Sequence, residues 1–286
     1  MSRAVMYEQF GGPEVLQLRE VPEPHAGPRE VRVRVAAAGL NPMDWLFASM
    51  PEAAAQFGIT LPSGFGSDFA GVVDEVGGDV VGFAVGDRVY GGALGRAVAD
   101  FVVLETPVKA PDALIHTPDG IGDLVASTLP VAGTTAAAAL DAIHLRSGDT
   151  VLVGGASEST FDFLRQLGAE PVAYGTGLAD RVRMVAPDGV TAATDLFGTE
   201  TAEAALALGV PPQRISTIAV GPNPPGGVRA TGGSNARSDA LEQITDAIVA
   251  GQLTVPLAAT FPVDEIRDAV TLQAGRHVHG KIVVTL

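Results

Sequence analysis

The sequence predicts an α/β protein with two domains, one rich in β-strands and one with a doubly wound parallel sheet. Up to about residue 115, short segments alternate apolar and polar residues, as half-buried strands do, and glycine or proline separates them. From about Pro118, short apolar strands alternate with helical segments, which is typical of a parallel sheet covered by helices. The 286 residues suffice for two domains with a substantial core.

The N-terminal segments favour a partly open β-barrel. Strands are predicted at residues 15–18, 31–35, 69–76 and 87–90. Residues 282–285 predict a further strand, which returns from the end of the chain to this domain.

The second part predicts a parallel sheet and its helices. A small, alanine-rich helix is expected over residues 121–140, divided into two pieces by Pro130 and Gly133. Further units are expected at residues 150–153 (strand), 159–167 (helix), 171–174 (strand), 180–185, 192–196, 202–208, 215–220 and 241–249 (helix).

The stretch at residues 148–175 begins like the first strand of a dinucleotide-binding unit. The apolar run at 150–153 ends in Gly154 and Gly155, where a phosphate-binding turn would lie. No third glycine completes the G-x-G-x-x-G pattern, and Glu158 brings a carboxylate to the place where an anion would bind. The phosphate-binding turn is therefore predicted to be missing.

Charge and cysteine content exclude several classes of binding partner and metal site. The net charge is −15 with 18 Lys plus Arg, which argues against nucleic acid or an anionic membrane, since either requires a basic face. The absence of cysteine excludes disulfides and cysteine-ligated metals. No signal peptide and no apolar run of membrane-spanning length is seen, so we expect a cytoplasmic protein. We expect its partner to be a small-molecule substrate.

Five motifs occur in order over nearly the whole chain. They are FGGPEVL at 10–16, AAGLNPMD at 37–44, GSDFAGVV at 66–73, VGDRVYG at 85–91 and GKIV at 280–283. Together they resemble the zinc-independent quinone oxidoreductase branch of the medium-chain dehydrogenase/reductase superfamily. The resemblance implies a GroES-like β-barrel domain at 1–117 and 255–286, a Rossmann-type domain at 118–254, and a cleft in which NADPH would reduce a quinone or conjugated enone.

Zinc ligands are lacking at the positions that zinc-dependent relatives use. Asn41 stands where those relatives have cysteine, and Ser67-Asp68 stands where they have a His-Glu pair. His277 and His279 could share a strand face, but a solvated pair is the favoured interpretation. We expect no metal.

The chain departs from the family in its nucleotide-binding unit. In the family, the strand equivalent to residues 150–153 leads to a glycine-rich turn, a long helix and a second strand; here it runs straight into a later segment, as if about 25 residues were excised. The lost unit would carry the pyrophosphate cradle, so we expect that no NADPH is bound. If binding persists, the candidate contacts are Gly154, Gly155, Ser157 and Ser159.

The candidate catalytic residues are Asn41, Asp44 and Tyr90. The resemblance places Asn41 beside the nicotinamide and the substrate, whereas Asn-Pro is also a common turn pair. Asp44 could move a proton or cap a helix that starts at Trp45. Tyr90 could donate a proton to an enolate, or serve as a structural strand tyrosine.

The candidate pocket residues have structural alternatives as well. They are Trp45, Phe65, Phe69 and Thr135. The three aromatic side chains could line an apolar wall or pack in the core. The resemblance places Thr135 in a small-residue turn near the nicotinamide.

Three functional hypotheses follow. The first is an enzyme that performs a non-redox step, such as isomerisation, cyclisation or elimination, on a conjugated and possibly polyketide-type carbonyl compound. The second is an NADPH-dependent quinone or enoyl reductase, and the third is a binding protein without catalysis. Relatives of this type commonly dimerise through the edge of the nucleotide-domain sheet, here residues 215–220, so a homodimer is expected.

Overall fold

The structure is a computed structural model that describes residues 1–219, 224–275 and 278–286. The chain divides into two compact units. The first unit comprises Met1–Gly133 and Leu241–Leu286, and the second comprises Thr134–Ala240. The boundaries expected from the sequence, after residues 117 and 254, stay a prediction of domain organisation.

The strands of the described residues are β1 (Ser2–Tyr7), β2 (Gln17–Val21), β3 (Glu30–Leu40), β4 (Ser63–Gly64), β5 (Asp68–Val76), β6 (Arg88–Gly92), β7 (Phe101–Glu105), β8 (Ala113–His116), β9 (Val151–Val153), β10 (Ala192–Asp195), β11 (Ile215–Thr217), β12 (Arg229–Ala230), β13 (Leu257–Pro262) and β14 (Lys281–Thr285). The α-helices are α1 (Pro42–Ser49), α2 (Pro51–Gln56), α3 (Asp123–Ala126), α4 (Pro130–Ala142), α5 (Phe161–Gln166), α6 (Leu178–Val185), α7 (Glu200–Ala207), α8 (Ala240–Val249) and α9 (Ile266–Ala274).

The first unit is built on a sheet in the order β13-β14-β3-β5-β6-β8, with β7 also paired to β3. Valines alternate along β3, and Val31, Val33 and Val35 are buried together with Phe69 of β5. The last strand, β14, pairs antiparallel with β3. The β-rich domain and the returning C-terminal strand predicted from the sequence are confirmed.

The second unit contains a parallel sheet in the order β12-β11-β10-β9. Its core combines Ile215 of β11 with Ala202 and Ala205 of α7. The parallel sheet with covering helices is therefore confirmed. Within the described residues, β9 lies at one edge of this sheet and pairs only with β10.

The predicted strand at 171–174 is wrong, because these residues form no strand. Val172 packs in the same cluster as Leu152 of β9, but the segment does not join the sheet. The Arg181 guanidinium instead donates hydrogen bonds to the carbonyl oxygens of Ala173, Gly175 and Thr176. An apolar β-branched segment becomes a strand only when another strand offers it a hydrogen-bond ladder.

Other differences concern the ends of elements. The helix predicted at 159–167 is a 3₁₀ turn, Glu158–Thr160, followed by the short helix α5. The predicted division of residues 121–140 is confirmed, but Gly133 lies inside α4, and Pro130 begins that helix, where proline is tolerated. The predicted strand at 215–220 ends at Thr217, and its last residue lies outside the described residues.

No helix in the described part of the chain is both long and apolar enough to cross a membrane.

Candidate functional site

Asn41 lies at the junction between β3 and α1 in the first unit. It is the N-cap residue of α1, and Pro42 occupies the first helical position, where its missing N–H costs nothing. The pairing of β14 with β3 places Ile282 opposite Leu40, so Lys281 reaches the same junction.

The Asn41 side chain connects Asp68 to Lys281 through hydrogen bonds. Its Nδ2 donates a hydrogen bond to Asp68 Oδ2 at 2.8 Å, and its Oδ1 accepts one from Lys281 Nζ at 2.6 Å. Lys281 Nζ also donates to the carbonyl oxygen of Leu40 at 3.0 Å. Both ends of the amide are thus held, which fixes the orientation of the side chain.

Asp44 joins the same group of residues through α1. Its Oδ2 accepts a hydrogen bond from the Asn41 backbone N–H at 2.7 Å, which is the acidic half of a capping box. Its Oδ1 accepts a second hydrogen bond from the Ser67 hydroxyl at 2.6 Å. Asp44 does make a capping contact, but the predicted helix start at Trp45 is wrong, because α1 begins at Pro42 with Asn41 as its N-cap and Asp44 as its third residue.

We call Asn41, Asp44, Ser67, Asp68 and Lys281 the polar cluster. Burial raises the pKa of Asp44 to about 6, although hydrogen bonds from Ser67 and Asn41 and the charge of Lys281 oppose the change. Burial raises the pKa of Asp68 to about 7 against the charge of Lys281. Burial also lowers the pKa of Lys281, while Asp68 and Asp44 oppose that change. Carboxyl groups with pKa values this near neutrality can both take up and release a proton.

Sequence reasoning missed Lys281 and Asp68 as members of a functional site. Asp68 was noted only as a residue at the position of a zinc ligand, and Lys281 only as part of a motif. A signal was present, because each is a charged residue beside an otherwise apolar strand segment. Charged residues at such positions are rarely buried without a partner.

The remaining candidates of the first unit are core residues. Trp45 packs against the hydrophobic cluster that contains Phe65, and Phe69 belongs to the cluster around β3. Tyr90 is fully buried, and its hydroxyl makes no hydrogen bond of normal geometry. Burial raises the pKa of Tyr90 to about 12, and the nearby Thr245 hydroxyl offsets this only in part. The contacts of Phe65, Phe69 and Tyr90 agree with the structural interpretation, and their functional roles stay predictions.

In the second unit, the cofactor candidates follow β9. Gly155 has a φ of +100°, and a Cβ at Gly154 would lie 2.1 Å from Thr201 Oγ1. The close contact with Thr201 of α7 therefore requires glycine at position 154. The hydroxyls of Ser157 and Ser159 are hydrogen-bonded to each other at 2.7 Å and are exposed to solvent.

Thr135, the last candidate, lies on α4 and is partly exposed. No group of three His, Asp or Glu side chains among the described residues is placed to hold a metal ion. His277, one of the two histidines considered above, lies outside the described residues.

Family comparisons cover most of the chain. Residues 27–105 match the alcohol dehydrogenase GroES-like domain, and residues 99–284 match the family described as zinc-binding dehydrogenase. The polar cluster has no cysteine or histidine, so its side chains do not form the nitrogen and sulfur ligand set that zinc prefers.

Individual relatives agree with the family matches. A quinone oxidoreductase from Pseudomonas aeruginosa is 41% identical over 155 residues, which is 53% of this chain and 45% of the relative. Erythronolide synthase EryA2 from Saccharopolyspora erythraea is 39% identical over 151 residues, which is 50% of this chain and 4% of that protein. The chain thus spans less than half the length of these curated relatives.

A solved structure, the quinone oxidoreductase from Coxiella burnetii, superimposes with a TM-score of 0.83 at 26% identity. The alignment covers 100% of this chain and 99% of that structure. The similarity therefore extends over both units of the chain.

Proposed function

We propose that this chain, which belongs to the medium-chain dehydrogenase/reductase superfamily and is quinone oxidoreductase-like, acts on a conjugated carbonyl compound. We also propose that its reaction does not use NADPH. The reaction class is a non-redox step, namely isomerisation, cyclisation or elimination. The observation that carries the proposal is the arrangement after β9. This strand lies at a sheet edge and is followed by a 3₁₀ turn and a helix of six residues.

The residues after β9 fit a dinucleotide poorly. A pyrophosphate requires glycines that let the backbone approach it and a helix N-terminus that faces it. Here the space beside Gly154 is occupied by the side chain of Thr201, and Glu158 lies in the turn that leads to α5. Residues 154–160 contain no Arg or Lys to bind the 2′-phosphate of NADPH. The proposed reaction therefore uses no NADPH.

The polar cluster supplies the chemistry that a non-redox step needs. Isomerisation of a conjugated carbonyl removes a proton from one carbon and returns one to another, so atoms and electrons balance without an external reductant. Asp44 and Asp68 are the groups suited to hold that proton. Asp68 uses one of the two Nδ2 hydrogens of Asn41, and the proposal assigns the other to a substrate carbonyl, which requires the residues that cover Asn41 to move apart because Asn41 is 2% exposed.

A paired assay tests the proposal. The protein is incubated with a simple enone without NADPH, and nuclear magnetic resonance follows migration of the double bond or exchange of the γ-proton in heavy water. We expect exchange with the wild type and its loss in Asp44→Asn, with folding checked by circular dichroism. Wild-type protein that exchanges no proton with any conjugated carbonyl tested would contradict the proposal.

A second candidate is NADPH-dependent reduction of a quinone or enone. It is favoured by the quinone oxidoreductase from Pseudomonas aeruginosa, at 41% identity. Loss of NADPH absorbance upon addition of a simple quinone identifies this function. If both assays are silent and a conjugated carbonyl still binds, the chain is a binding protein.

A further inference from the structure

The polar cluster contains more negative than positive charge. Asp44 and Asp68 are 3% and 0% exposed, so both carboxyl groups are removed from water. The positive charge of Lys281, whose ammonium group is hydrogen-bonded to Asn41 and Leu40, acts on both of them. With both carboxylates ionised, one negative charge would lie buried without compensation, which is strongly unfavourable.

The described groups that donate hydrogen bonds to the two carboxyl groups are neutral. Asp44 accepts hydrogen bonds from the Ser67 hydroxyl and the Asn41 N–H, and Asp68 accepts from Asn41 Nδ2 and the Val131 N–H. Among the described residues, the Tyr7 hydroxyl is a further titratable group whose pKa responds to Asp44. Burial raises the pKa of Tyr7 and the charge of Asp44 raises it further, so this hydroxyl also stays neutral.

From this burial and charge balance we infer that the carboxyl groups of Asp44 and Asp68 hold one proton between them while the Lys281 ammonium group stays charged, and that Lys281 acts as the positioning residue that fixes the amide of Asn41. One carboxyl group is then neutral, the other is ionised, and the ammonium group balances the charge. The inference deepens the proposed function and rests on it only for the use of Asn41.

The positions of the cluster along the chain explain why the proton would matter. Lys281 begins β14, Asp68 begins β5, and Asp44 lies in the first turn of α1. Loss of the proton leaves a second carboxylate against the single ammonium group, which changes the electrostatic environment of Lys281 and hence of the Asn41 amide that it holds.

Lysine resonances give a direct test because Lys109 and Lys281 are the two lysines of the chain. Lys109 is exposed and no strand or helix contains it, so Lys109→Arg leaves Lys281 as the single lysine in a folded protein. The Cε of Lys281, labelled with carbon-13, is followed from about pH 5 to about pH 8, the range in which the raised carboxyl pKa values fall.

We expect one titration step of the Lys281 Cε resonance within this range, and its loss or displacement in Asp68→Asn. Asp79→Asn, an exposed acid on the turn after β5, is the matched control and should leave the step in place. A Lys281 Cε resonance that does not shift with pH over this range, in protein that keeps Asp44 and Asp68, would by itself overturn the inference. A step that persists unchanged in both Asp44→Asn and Asp68→Asn would also overturn it.

The measurement needs neither substrate nor NADPH. A titration step without enone proton exchange would refute the proposed function and keep the shared proton. Proton exchange with a flat Lys281 resonance would do the reverse.

Discussion

The buried carboxyl group of Asp68 should make the stability of the first unit depend on pH. In the unfolded chain this group titrates near 3.8, whereas in the folded protein burial raises its pKa to about 7. Between these values the folded state binds the proton and the unfolded state does not. The free energy of unfolding therefore falls as the pH rises toward 7, and the stabilisation is fully present only below the unfolded pKa.

The size of the effect follows from the shift. Well below the folded pKa each pH unit changes the free energy of unfolding by about 1.4 kcal/mol, and this slope falls to half at about pH 7, so the interval from about pH 5 to about pH 7 corresponds to about 2.3 kcal/mol for one proton. Asp44 and Lys281 respond to the same proton, which spreads the change over a wider range. We expect the wild type to lose about 2 kcal/mol over this interval through the polar cluster.

Asp68→Asn removes the titrating group and keeps an acceptor oxygen for Asn41 Nδ2. Its contribution to the pH dependence should disappear, so the variant should lose about 2 kcal/mol less than the wild type between about pH 5 and about pH 7. Urea unfolding monitored by Trp45 fluorescence measures the free energy of unfolding at each pH. Trp45 is the chain's one tryptophan and lies beside the cluster in the first unit.

General charge repulsion in an acidic protein also changes with pH, so the comparison needs a matched acid. Asp79→Asn removes the same charge from an exposed turn and should keep the wild-type slope. Parallel slopes for the wild type and Asp68→Asn would contradict this prediction, since they would mean that Asp68 titrates alike in the folded and unfolded states.

Two further predictions concern packing and charge pairing. Gly39→Ala should destabilise the first unit by about 3 kcal/mol, because its Cβ would lie 2.1 Å from the carbonyl oxygen of Ser127. Gly78→Ala, where a Cβ meets nothing within 4 Å, is the control, and urea unfolding of both variants gives the difference. Arg214→Met should raise the pKa of Asp149, which hydrogen bonds led by that of Arg214 now lower to about 2. A carboxyl carbon titration by nuclear magnetic resonance measures this shift, and an unchanged Asp149 pKa would contradict the ion pair between Arg214 and Asp149.

The fold could be predicted because its signals are local. The alternation of valines in β3 and the apolar run of β14 indicate strands without knowledge of their partners. The strand expected at 171–174 shows the limit of such signals. Its residues suit a strand, but whether they form one depends on a neighbouring strand elsewhere in the chain.

The candidate site was predicted only in part for the same reason. Asn41 and Asp44 are three residues apart and share a turn, so their association is visible in the sequence. Lys281 lies 240 residues from Asn41, and only the pairing of β14 with β3 brings them together. Burial, which changes the pKa values of the cluster, is likewise a property of the folded chain.

The proposed function depends on the segment after β9, which we propose does not bind NADPH. Isothermal titration calorimetry with NADPH tests it most directly, with the full chain and no substrate. We expect no heat of binding at protein concentrations that would reveal a micromolar dissociation constant. Saturable binding with micromolar affinity would contradict it and would establish NADPH-dependent reduction as the better proposal.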